Sequence, residues 1–164
     1  MAAASARSSS SAFTTILAAW LTCGVLDGCS ALVQSWYLSN KPLSALRPGR
    51  VFQGVAYGIL GPDTYNRGAS SIAMGIAIHF LVALVAAIVF FALSRYIPFM
   101  IEQALLSGVL YGIGVHLFMQ YVVIPMSVIG KRPFNGRVFF SGLIIHMIVV
   151  GPSISLMTRK YSRW

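Results

Sequence analysis

The sequence predicts an all-α, polytopic membrane protein: an up-down-up-down bundle of four transmembrane helices with a short interfacial helix in the first loop. Three observations carry this. Hydrophobic residues make up 57% of the 164-residue chain and charged residues 9%, too little polar surface for a soluble globule of this size. Mean hydropathy is +0.79. Four apolar segments reach the roughly 20 residues that a spanning helix needs.

Taken in order, residues 1–12 form an Ala- and Ser-rich segment with one cation, Arg7. Such a composition buries too little apolar area to offset chain entropy and predicts a flexible tail. The transmembrane domain follows over residues 13–158, and residues 159–164 form a basic C-terminal tail. The first span, about Phe13 to Tyr37, is longer than a signal-peptide core and ends on the aromatic pair Trp36 and Tyr37, which predicts a retained anchor. Cys23 and Cys29 lie within it, six residues apart and on different faces, so they form no disulfide.

The first loop contains an apolar stretch, Arg50 to Gly61, closed by Gly61-Pro62-Asp63. It is too short to span and reads as an interfacial or re-entrant helix. The remaining spans are about Ser71 to Leu93, Glu102 to Ile124 and Val138 to Met157. The second loop, Arg95 to Pro98, is short enough to force an antiparallel hairpin. Pro125, Gly130, Pro133 and Asn135-Gly136 mark the third loop. Gly151-Pro152 predicts a kink in the last span, with Ser153 and Ser155 available to the freed carbonyls.

Each span offers one ionisable residue at about one depth: Asp27, His79, His116 and His146. Such groups cost at least ~2.5–3.5 kcal/mol in hydrocarbon and usually face a bundle interior. His79 lies three residues before the middle of its span and His116 three after the middle of its own, which displaces both by ~4–5 Å toward one face. His146 and Asp27 are displaced the same way, so the four are expected to form a ring at one depth. Small residues share their stripes: Gly75, Ala83 and Ala86 with His79; Gly108 and Gly112 with His116, where polar Gln120 also lies; Gly142 with His146. Close helix packing is expected along these faces.

Four readings of the ring stay open. In the first, the histidines hydrogen-bond neighbouring helices and fix register. In the second, three imidazoles and a carboxylate hold a divalent transition metal, with Gln120, Ser30 and Ser141 as supporting polar groups. A third is one b-type haem between His79 and either His116 or His146. The fourth is a proton or ion pathway through the same groups. Catalysis of other kinds is not expected, and no catalytic residue is assigned: the three acids Asp27, Asp63 and Glu102 form no catalytic pair, and there is no nucleophile elbow or phosphate loop.

The net charge of +9 is scattered over loops and termini, which points to anionic lipid headgroups and not to nucleic acid. Arg7, Arg95, Arg159, Lys160 and Arg163 fall on one side; Lys41, Arg47, Arg50, Arg67, Lys131, Arg132 and Arg137 fall on the other. This count alone favours an outside N-terminus.

His79 followed nineteen residues later by Pro98, then Leu105-Leu-Ser-Gly-Val-Leu, Val115-His116, and His146 before a basic tail resemble YagU-type bacterial inner-membrane proteins over about the last 90 residues. The resemblance implies a bacterial inner-membrane location with both termini cytoplasmic, and a loose association with acid resistance; it implies no cofactor or substrate. The resulting expectation is a structural or accessory membrane protein, N-in and C-in, partnered by the bilayer and by a larger membrane complex or its own copies.

Overall fold

The computed structural model describes the backbone of residues 2–162 and the side chains of residues 12–162. Among these the chain is helical, with no strand. Helix α1 runs over Ala2–Ser39, α2 over Pro48–Leu60 and α3 over Ala69–Ser94. Helices α4, Ala104–Met126, and α5, Gly136–Tyr161, complete the set. Four helices are long and apolar enough to cross a membrane: Ala12–Ser39 of α1, and α3, α4 and α5. The protein is an all-α polytopic bundle.

Several boundaries differ from the sequence reading, each for a local reason. Helix α1 begins at Ala2, and no glycine or proline precedes Gly24. Glu102 belongs to a separate turn, Phe99–Glu102, cut from α4 by the non-helical backbone of Gln103. Pro125 lies inside the last turn of α4. Arg159 and Lys160, expected in a tail, occupy the last turn of α5, where cations suit the negative end of the helix dipole. Arg163 and Trp164 lie outside the described residues.

Helix α1 packs between α3 and α5; α5 packs on α4, and α2 lies along α3. The first and third loops share a face, since Val128 N donates to the Gly58 carbonyl at 2.9 Å and Arg137 Nη2 to Asn40 Oδ1 at 3.3 Å. The short helix α2 is held by Gln53, which is buried and donates to Ser71 Oγ at 3.0 Å. Gly75 lets α2 come close, because a Cβ there would collide with the backbone of Phe52.

Burial is inverted relative to a water-soluble domain. The core holds mainly small or hydroxylic residues such as Ala19, Ala87, Ser107, Ser155 and Thr158, whereas Leu81, Val85, Leu105, Leu110 and Ile148 face outward. Lipid tails are as apolar as leucine, so helices gain by close packing and not by hiding leucine.

Helices α4 and α5 also approach at their glycines. A Cβ on Gly151 would overlap the Gly108 carbonyl, and one on Gly112 would overlap the His146 carbonyl. Both helices also widen where proline requires it. The π turn Met119–Val123 contains Tyr121, four residues before Pro125; the π turn His146–Val150 contains Ile148, four residues before Pro152. Proline removes the donor for the carbonyl four residues back and its ring crowds that carbonyl, and a local π turn relieves the clash. Ser153 Oγ donates to the Val150 carbonyl at 2.9 Å, and Ser155 Oγ to that of Pro152 at 3.2 Å.

Gly151→Leu should therefore cost more than the ~1–3 kcal/mol usual for overpacking, because its neighbours are backbone atoms. Gly114→Ala, whose added carbon meets nothing within 4 Å, should gain about 0.5–1 kcal/mol. Reversible unfolding in mixed micelles, followed by circular dichroism, measures both.

Candidate functional site

The four ionisable residues separate into two pairs. Asp27 and His79 meet at the α1–α3 contact, and His116 and His146 at the α4–α5 contact.

The first pair is shaped by Gly24 and Gly28 on α1. A Cβ at Gly24 would come within 2.6 Å of the Phe80 ring, so glycine there admits the α3 side chains. His79 Nε2 lies 2.9 Å from the Gly24 carbonyl oxygen; because a carbonyl only accepts, this nitrogen carries a proton. The other nitrogen, Nδ1, lies 3.9 Å from Asp27 Oδ2. At that separation the two side chains are neighbours without a direct hydrogen bond. The rings of Phe52 and Phe80 stand edge-on to His79, with centroids 6.0 and 5.5 Å away.

In the second pair the ring centroids of His116 and His146 are 5.0 Å apart and inclined at 63°. His146 Nδ1 donates to the Gly142 carbonyl of its own helix at 2.8 Å. His116 is 1% exposed, and its Nε2 has no hydrogen-bond partner among the described residues. The Phe139 ring lies 4.9 Å from it. Gly142 makes room for this imidazole, since a Cβ there would sit 2.9 Å from His116 Cε1.

A common depth for all four is not observed. The same Gly142 point lies 3.4 Å from Gln34 Nε2, and Gln34 donates to Ser141 Oγ at 2.9 Å. His116 therefore stands beside the Gln34 level of α1, seven residues or ~10 Å along the helix from Asp27. Among the described residues no three His, Cys, Asp or Glu side chains gather to hold a metal ion.

Both ring nitrogens of His79 are directed within the α1–α3 contact, toward Gly24 and Asp27. His116 and His146 touch each other edge to face, with Gly112 closing the backbone gap beside them.

Of the supporting residues, Ser141 joins Gln34, whereas Ser30 Oγ donates to its own helix at the Leu26 carbonyl. Gln120 lies in the π turn that follows His116. Ala83 and Ala86 are buried in the core with Cys23. Cys29 is exposed, and both cysteines are free.

Three further residues complete the polar framework. Trp20 Nε1 donates to the Phe80 carbonyl at 2.7 Å, Tyr111 Oη to that of Ala86 at 2.7 Å, and Gln34 links α1 to α5. Trp20 and Tyr111 lie within the spans of α1 and α4. Their polar tips in mid-span were the available signal, because a buried indole N–H or phenol O–H needs an acceptor.

Comparison with family models, with curated proteins and with solved structures gave no match.

The two pairs should respond oppositely to substitution. His79→Leu removes an interhelical bond worth ~0.6–1.7 kcal/mol. His116→Leu removes a buried nitrogen whose unmet bond costs ~1–3 kcal/mol and forfeits ring contacts worth ~0.5–1.5 kcal/mol, so stability should hold or rise. Unfolding of the two variants side by side in micelles checks this ordering.

Proposed function

We propose that this integral membrane protein is a structural or accessory component, and that its intramembrane polar residues serve to tie helices together. One observation carries the reading: the polar tips in mid-span reach across to backbone carbonyls of neighbouring helices, Trp20 to Phe80, His79 to Gly24 and Tyr111 to Ala86. Groups committed to such bonds fix register and hold little in reserve for a substrate. The reading keeps the likeness to YagU-type proteins, with its inner-membrane location, cytoplasmic termini and association with acid resistance. The spacing of His79 to Pro98 and the basic C-terminal residues support that likeness.

A second reading, proton handling, is favoured by the 3.9 Å approach of His79 Nδ1 to Asp27 Oδ2, which places an acid beside a base within the spans. Proteoliposomes loaded with a pH-sensitive dye address it. Flux above that of empty vesicles, abolished by Asp27→Asn, would establish that reading in place of the first.

The accessory reading predicts that detergent-purified protein carries neither a stoichiometric metal nor a Soret band. It also predicts that gently solubilised membranes show the chain in a larger assembly that survives His116→Leu. Elemental analysis, absorbance and native electrophoresis measure these. A metal or haem lost on His116→Leu would overturn the reading.

A further inference from the structure

We infer that the seam between α1 and α5 is a binding site for one anionic phospholipid, its phosphate held at Arg137 and one acyl chain laid along the two helices. Two cavities line this seam, of about 460 Å³ and about 560 Å³, within the ~300–1,000 Å³ range of ligand sites. Val33 and Ile145 line both, so the two adjoin along the seam.

On α1 the groove extends from Tyr37 to Thr22, fifteen residues or ~22 Å. One leaflet's hydrocarbon is ~15 Å deep, half of a core of about 30 Å. An acyl chain entering at Tyr37 is thus accommodated along its whole length. The walls suit it, with Leu26, Val33, Ile144 and Ile148 all exposed. The polar pair Gln34 and Ser141 in the lining is bonded to itself.

Charge fixes the direction of the lipid. Arg137 is the one charged residue among the residues lining either cavity, and it lies at the Tyr37 end. Its guanidinium is 5.3 Å from the centroid of the Tyr37 ring, and one Nη2 proton goes to Asn40 Oδ1. Those contacts hold the group at the Tyr37 end of the lining, and a guanidinium has five N–H donors in a fork that matches phosphate oxygens. The loops of this face add six Lys and Arg residues against one acid, Asp63. The site accordingly takes its lipid from the leaflet on the side of the first and third loops.

The test is thermal unfolding and native mass spectrometry of the full chain in neutral detergent, titrated with phosphatidylglycerol, phosphatidylcholine or inorganic phosphate. Saturable retention of one phosphatidylglycerol with a raised melting temperature is expected, with neither effect from the other two probes. Arg137→Gln should weaken retention about tenfold, the loss of one charge-assisted contact. Val33→Trp, which fills the groove and leaves the cation in place, should abolish it. Arg47→Gln, an exposed cation on the same face, should leave it unchanged.

The inference is overturned if phosphatidylcholine is retained equally, which marks ordinary annular lipid. It is also overturned if Arg47→Gln weakens binding as much as Arg137→Gln, which marks diffuse charge attraction. Full competition by inorganic phosphate would mark a headgroup contact with no chain in the groove, and overturns it too.

Discussion

The fold depends on how closely α4 and α5 approach at Gly108, Gly112 and Gly151. In hydrocarbon no apolar surface is driven out of water by bringing two helices together, so association rests on van der Waals contact and interhelical hydrogen bonds. Backbones that touch at three glycines supply dense contact with no side chain to order. The rest is arranged around that contact: α1 lies on the other side of α5, α3 on α1, and α2 on α3.

The same approach determines what the histidines do. Gly112 presses on the carbonyl of His146, and Gly142 opposite receives the His116 ring, so the two imidazoles are brought together by backbone contact. His79 is positioned by a different glycine, Gly24, whose carbonyl it binds from α3. Two glycine-built contacts, on opposite sides of the bundle's α1–α5 axis, thus separate residues that look equivalent along the sequence.

Helix α1 has three roles. One face carries Gly24 and Gly28 against α3, another packs Ala19 and Cys23 into the core, and a third borders the groove shared with α5. Its C-terminal end holds Tyr37 and Asn40, which position Arg137 from the far end of the sequence. A helix in the middle of the packing order is suited to this, because it meets α3 and α5 at once and still leaves an open seam toward lipid.

The sequence by itself determined the class, the number of spans and their antiparallel order, because hydrocarbon demands long apolar helices and the short turn at Arg95–Pro98 leaves no room for another course. It also pointed to the glycines of α4, since small residues one turn apart only become useful at a close contact. Prolines 125 and 152 were visible too, but not that the helix would absorb each by widening to a π turn.

What the tertiary structure alone decided was which partners meet. Depth counted along a span ignores how far helices slide and rotate against each other, and the slide that brought His116 to Gly142 and Gln34 divided an expected ring of four into two pairs. The inward bonds of Trp20 and Tyr111, the burial of Gln53 and the Arg137–Tyr37–Asn40 mouth have the same origin. Each joins residues more than ten positions apart, where local periodicity carries no information and only packing selects the neighbour.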